Sequence, residues 1–237
     1  MNNLILVRHG LSIFNKKNLA TGWLDVDLAE EGKKEAKEAG LLIKKLNITF
    51  DFAFSSIQKR ALNTLRIILK TIGKKDIKII KNWALNEKHY GILQNKNKDE
   101  IKKKYGEQKV KEWRRSWDIA PPPLDKNNPG HPLNMKIYKD IDRNLIPDTE
   151  SLKNTYERAV PYWKKNIEAQ LLNNKNIIVV AHGNSLRAIL KYLFKISNEK
   201  IPSLEVPTGN PLLIRLDSNL KINTFNYLNI ERSENII

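Results

Sequence analysis

Ile177-Ile178-Val179-Val180-Ala181-His182-Gly183-Asn184 is the stretch on which the reading of this chain turns. Five apolar residues in a row, four of them β-branched, suit a strand covered on both faces, where neither side meets water. The run stops at histidine and glycine, and a helix of roughly Ser185 to Phe194 follows. Near the N-terminus, Leu4-Ile5-Leu6-Val7-Arg8-His9-Gly10 repeats the pattern: an apolar run, then a histidine. Two such strands, each ending in the same unusual residue, predict an α/β domain with chemistry at the carboxyl ends of its strands.

The rest of the chain alternates between helical and extended periods. Glu31 to Leu46 puts Ala36, Ala39, Ile43 and Leu46 on one helical face and lysines on the other. Asp51 to Ser55 predicts a second strand, followed by Ser56 and a helix from about Gln58 to Thr71. Ile77 to Ile80 reads as a third strand. Lys98 to Ser116 reads as a helix broken near Gly106, and Leu152 to Leu172 as a helix bent by Pro161. Leu212 to Leu216 and Ile222 to Asn226 predict two final strands. Residues 11–30 and 86–97 read as loops. Residues 118–150 contain Pro121-Pro122-Pro123, Pro129-Gly130, Pro132 and Pro147, which forbid a long helix or central strand. Without repeat or linker, the 237 residues predict one domain, 1–237.

Composition narrows the function. Hydrophobic residues make up 41% and charged residues 29%, which predicts a folded core rather than disorder. The chain has no cysteine, so disulfides, thiolate metal sites and cysteine nucleophiles are excluded. No apolar run is long enough for a signal peptide or a membrane span, and the expectation is a cytoplasmic protein without membrane association. The net charge of +16 invites a nucleic-acid reading. Only ten of the 42 basic residues are arginine, however, and the lysines are scattered over several helices. No zinc-finger spacing and no aromatic-interleaved RNA motif accompanies them. A solvated lysine-rich surface is the reading, and no nucleic-acid partner is expected.

Against that lysine background the arginines near strand ends stand out. The first strand delivers Arg8 and His9; the second delivers Ser56 and, one turn into its helix, Arg60; the strand at 177–181 delivers His182 and Asn184. If these strands are neighbours, two histidines and two arginines share one crevice, next to the free N–H groups of a helix start. Such a site attracts phosphate, whose oxygens match the arginine fork. A lone histidine at a strand end is more often structural; the joint appearance of two argues for function. His9 is the preferred nucleophile, kept neutral by Arg8 and Arg60. Glu87, on a polar loop, is a candidate general acid and base. Arg114-Arg115, flanked by Trp113 and Trp117, are two like charges that need an anion between them. With four histidines and no close pair of them, no metal is expected.

These residues resemble a known family. Leu6-Val7-Arg8-His9-Gly10 resembles the signature of the histidine phosphatase superfamily. Further stretches are similar to its cofactor-dependent phosphoglycerate mutase branch, in order along the chain. They are Thr21-Gly22-Trp23-Leu24-Asp25, Lys59-Arg60-Ala61, Glu87-Lys88-His89-Tyr90-Gly91, Trp113-Arg114-Arg115, Thr149-Glu150-Ser151-Leu152, Ala181-His182-Gly183-Asn184-Ser185-Leu186-Arg187 and Pro207-Thr208-Gly209-Asn210.

The resemblance implies a phosphoglycerate mutase-like fold: a mostly parallel sheet flanked by helices on both faces. It implies an isomerase of glycolysis and gluconeogenesis that interconverts 2- and 3-phosphoglycerate through phosphorylated His9. The implied cofactor is 2,3-bisphosphoglycerate, which primes His9, with no metal. Arg8, Asn15, Arg60 and His182 would hold the transferring phosphate, with Gly183 and Asn184 beside it and Ser12 retained in the signature loop. Glu87 would move protons at the substrate hydroxyls. Thr21, Gly22, Tyr90, Lys98, Arg114 and Arg115 would grip the carboxylate and second phosphate. A mutase must also keep water from its phosphohistidine, and the irregular residues 86–150 are long enough to form a cover. Small phosphoglycerates are the implied partners, and a homodimer or homotetramer the implied assembly. One departure is Leu11, where the family usually carries glutamate or glutamine. A phosphatase or a bisphosphoglycerate synthase would use the same histidine, so the signature alone does not separate these activities.

Overall fold

The computed structural model describes residues 2–74 and 76–235; residues 1, 75, 236 and 237 of the expected 1–237 domain lie outside the described set. Six strands form one sheet: β1 (Asn2–Arg8), β2 (Phe52–Ser55), β3 (Ile79–Lys81), β4 (Ile177–Ala181), β5 (Leu212–Leu216) and β6 (Ile222–Tyr227). Their order is β3-β2-β4-β1-β5-β6. The first four in that order are mutually parallel, whereas β5 runs antiparallel to β1 and β6 to β5. The sheet is therefore mostly parallel, with an antiparallel edge.

The continuous apolar runs have a direct cause, since both faces of the central strands are covered. Leu4, Leu6, Ile177 and Val179 pack on one side with Trp163, Ile167, Leu186 and Ile189. Those partners come from the α6 (Leu152–Tyr162) region and from α8 (Gly183–Leu193). Ile5, Val7, Ile178 and Val180 pack on the other side with Ala39, Ile43, Ala61, Leu65 and Ile68. Those belong to α2 (Glu30–Lys44) and α3 (Lys59–Thr71).

Several boundaries differ from the sequence reading. The loop at 11–30 contains a one-turn helix, α1 (Ile13–Lys16), closed by a capping box between Ser12 and Asn15. The break expected near Gly106 is there: the helical stretch 98–116 divides into α4 (Lys98–Tyr105) and α5 (Glu107–Arg115), with Gly106 between them at φ +85°. The helix expected over 152–172 changes type after Pro161. α6 gives way to a π-helical turn, Trp163–Glu168, before α7 (Ala169–Leu172). Proline supplies no N–H and crowds the preceding turn, so the ladder re-registers instead of continuing. The helix after β4 begins at Gly183, earlier than the expected Ser185, so His182 sits at its N-cap.

Residues 86–150 hold α4, α5 and short 3₁₀ turns. Two satellite apolar clusters anchor this region. One joins Ala20 to Leu93, Ile101, Val110 and Trp113. The other joins Trp23 to Tyr138, Ile141 and Ile146. Each cluster takes one member from the loop that follows His9, so that loop and the irregular region fold as one layer.

Candidate active site

β1 and β4 are neighbours, and Arg8 pairs with Ala181 across them. The His9 amide continues the ladder by donating to the Ala181 carbonyl at 3.0 Å. Adjacent strand ends thus deliver His9 and His182 side by side, with ring centroids 5.0 Å apart and planes at 61°. Both rings are buried. The turn after His9 is packed backbone to backbone. A Cβ on Gly10 would lie 2.3 Å from the Gly32 carbonyl, so only glycine lets α2 approach the loop.

His9 Nδ1 lies 2.7 Å from the Gly10 carbonyl oxygen, which selects the Nδ1–H tautomer and leaves the Nε2 lone pair for attack. Burial holds the His9 pKa well below the usual 6.5, and the charges of Arg60 and Arg8 push it the same way. The ring is therefore neutral at physiological pH. His182 is depressed by burial and then by Arg60. Its Nε2 meets the Ser56 hydroxyl at 2.7 Å, and its Nδ1 has no partner among the described residues.

Arg60, on α3, donates to the carbonyls of Leu24 and Gly22 at 2.9 Å each and to Gln58 Oε1 at 3.0 Å. Its two terminal nitrogens therefore fasten the loop that carries Thr21 and Gly22 beside the histidines. Gly22 sits at φ +55°, and a Cβ there would strike the Gln94 amide at 2.2 Å. Ser12 faces its capping partner Asn15 rather than a cavity, and serves to hold that residue.

Two small cavities adjoin at the strand ends, each of about 70 Å³. The inner one is lined by His9, Asn15, Thr21, Gly22, Arg60 and Lys98, the outer one by Arg115, Gly183, Asn184, Arg187 and Glu205. Arg8, Glu87, Tyr90 and Arg114 line both. Glu87 Oε1 accepts from the Asn184 amide N–H (3.1 Å), the Asn184 side chain (2.9 Å) and the Lys88 N–H (2.8 Å). Tyr90 hydroxyl meets the same Asn184 side chain at 2.8 Å. Lys98, among Arg114 and Arg8, has its pKa lowered by burial, and next by those arginines, to about 8. A roomier cavity of about 650 Å³ lies apart from these groups, between Phe194, Lys200 and Leu204.

The structure thus brings together every expected site residue except Ser12, which stands behind Asn15. The expected histidine–arginine crevice is lined as a polar, cationic cleft, with the Glu87 carboxylate at the junction of its halves.

The histidine phosphatase superfamily (branch 1) model matches residues 4–131 and 128–229. The chain belongs to the histidine phosphatase superfamily. Among curated members, the 2,3-bisphosphoglycerate-dependent phosphoglycerate mutase of Pelagibacter ubique is 52% identical over 237 residues, covering 100% of this chain and 99% of that one. The protein of the same name from Treponema denticola is 49% identical over 225 residues, covering 95% and 91%. Among solved structures, a mycobacterial glucosyl-3-phosphoglycerate phosphatase with VO3 superposes with TM-score 0.71 at 19% identity, covering 96% of this chain and 97% of that one. The alpha-ribazole phosphatase of Shigella flexneri gives 0.68 at 20%, covering 92% of each. At these identities the two structures speak for the shared fold.

This superfamily member has groups around the site to which the sequence reading gave no role. Leu11, the departure from the signature, keeps its loop in place through its backbone. Its N–H donates to Glu35 Oε2 of α2 at 2.8 Å, so a carboxylate from the helix serves the loop. Arg187 is buried and donates to Asn184 Oδ1 (2.8 Å) and to the carbonyls of Arg115 (3.1 Å) and Ile201 (2.6 Å). Lys88 is buried and donates to the Trp113 carbonyl at 2.6 Å. The two cations therefore hold the last carbonyls of α5, whose end carries Arg114 and Arg115. The scarcity of arginine could have flagged Arg187. Lys88 lies in a family-like stretch, but composition and periodicity do not distinguish it from the many other lysines.

Proposed function

We propose that the chain interconverts 2- and 3-phosphoglycerate through a phosphohistidine at His9, as a cofactor-dependent isomerase primed by 2,3-bisphosphoglycerate. The observation that carries this reading is the pairing of His9 and His182 at 5.0 Å beside a cleft of two cationic halves joined at Glu87. One half suits the phosphoryl group in transfer, and the other suits a second anionic group on the same small acid. The residues fit a doubly anionic ligand on a further count. Arg8 Nε, Thr21 Oγ1 and Arg60 Nε are buried without a partner among the described residues, and all three side chains line the inner half. Oxygens of a bound phosphate would satisfy such donors.

When bound, 2,3-bisphosphoglycerate supplies the phosphoryl group that first loads His9. In turnover, phospho-His9 faces a phosphoglycerate held by Arg114, Arg115 and Lys98. The substrate hydroxyl attacks phosphorus, the N–P bond breaks, and Glu87 takes the hydroxyl proton. His9 then takes the phosphoryl group from the other carbon, and Glu87 returns the proton to the departing oxygen. Arg8, Arg60, Asn15 and the neutral His182 stabilise the charge spread over the equatorial oxygens. Ser12 positions Asn15. Residues 86–150 act as the cover that keeps water from phospho-His9, and their shared layer with the loop after His9 supports that role. Cytoplasmic working and assembly as a homodimer or homotetramer go with this reading; the mass in solution tests the assembly.

The deciding experiment mixes the protein with 2,3-bisphosphoglycerate labelled in its phosphoryl groups, then supplies 3-phosphoglycerate without added metal. Label is expected on His9, and 2-phosphoglycerate is expected to form. The reading is overturned if His9→Ala still takes up label and isomerises, or if phosphate is released with no isomerisation.

A further inference from the structure

Glu205 and Val206 line the outer half of the cleft and occupy two of its arginines. The Val206 carbonyl accepts from Arg8 Nη1 at 2.8 Å. The Glu205 carboxylate forms an ion pair with Arg115 Nη2. Four guanidinium groups line this half, those of Arg8, Arg114, Arg115 and Arg187, with two carboxylates against them, Glu87 and Glu205. The two carboxylates are not alike. Glu87 is fixed by three N–H donors from Asn184 and Lys88. Glu205 is bonded to Arg115 alone among the described residues, and its side chain is 46% exposed, so it can swing into water.

We propose that Glu205 is an internal competitor for the anionic group of the ligand, and that it sets the affinity of the site. It takes the fork of Arg115 when the cleft is empty and leaves it when a phosphoglycerate arrives. A ligand that must displace a resident carboxylate binds more weakly, by the fraction of molecules in which the fork is free. The same competition speeds release, because the carboxylate recaptures the guanidinium as the product departs. This assignment rests on the phosphoglycerate reading of the site. An exposed pair of this kind is weak, so the effect is a tuning of about two- to fivefold in Kd.

The test is a titration of 3-phosphoglycerate into the full-length protein and into Glu205→Gln, with KM and kcat measured on both. Glu205→Gln is expected to bind about two- to fivefold tighter and to lower KM by the same factor, without raising kcat. The gain should shrink as salt screens the charges. It should also vanish when Arg115→Gln is already present, as a double-mutant cycle reads out. Unchanged or weaker binding in Glu205→Gln would make Glu205 a mere prop for Arg115 and end the proposal. A second variant, Glu205→Ala, must tighten binding as well, since the proposal requires only loss of the charge. The two readings fail separately. A wild-type protein that neither binds nor isomerises 3-phosphoglycerate removes the functional reading and this inference with it. Normal wild-type binding with no gain in the variants removes the inference alone.

Discussion

At position 9 an imidazole has lost its water and faces two guanidinium groups, and both effects keep the proton off Nε2. Protonation of this ring should therefore set in only well below pH 6.5. An NMR titration of the unphosphorylated protein is expected to place the His9 ring's midpoint below that value; a midpoint at 6.5 or above, for a signal absent in His9→Gln, would contradict it. Stability responds in the same direction. His9, His182 and His89 all have depressed pKa values in the fold, burial being the first cause in each, and His89 falls to about 3. As pH drops below 6.5 the unfolded chain binds protons that the folded chain refuses, so the folded state loses stability there. Melting curves should show Tm falling between pH 6.5 and 5. Lys98 titrates at about 8 and lines the inner cavity. KM for phosphoglycerate should rise above pH 8 as its charge is lost, and Lys98→Arg should remove that rise. Arg8, His9 and His182 are legible in the sequence because each closes or follows an apolar run. Glu205 and Lys88 are not, because their significance lies in contacts with Arg115 and Trp113, 90 and 25 residues away.

At the scale of elements, periodicity carries most of the structure. The buried strands read as unbroken apolar runs because α2 and α3 cover one face and α6 and α8 the other. The break between α4 and α5 is legible in Gly106, which adopts φ +85° and ψ 144°, a region open almost only to glycine. A Cβ there would touch nothing within 4 Å, so the cost of Gly106→Ala is backbone strain alone. It should come to about 1–3 kcal/mol in denaturant unfolding, and a neutral result would count against this account. The π-helical turn at Trp163–Glu168 is not legible beyond the bend at Pro161. Proline marks where a ladder fails, but the packing of Trp163 and Ile167 into the core decides how it resumes.

Over the whole molecule, the sequence shows which strands exist but not their order, since pairing is settled by contacts across more than a hundred residues. Nor does it show what holds the irregular region 86–150 to the sheet. Arg158 of α6 shares that work with the two apolar clusters. It pairs with buried Glu150 at 2.6 Å and donates to the carbonyls of Ala84 (2.8 Å), Asn86 (3.1 Å) and Glu87 (2.9 Å). Glu150 in turn accepts from the His89 N–H at 2.7 Å. Glu150→Ala leaves a guanidinium buried without its counter-charge and should cost about 3–5 kcal/mol in unfolding free energy. A loss below 1 kcal/mol would mean that the carbonyls alone suffice. The hydrogen bond from His9 to Ala181 has a broader consequence. Because the His9 amide is a rung of the sheet, the spacing of the two imidazoles is inherited from the pitch between β1 and β4. Such a molecule can exchange its peripheral segments for others, and so its choice of ligand, while the two imidazoles stay at the same separation.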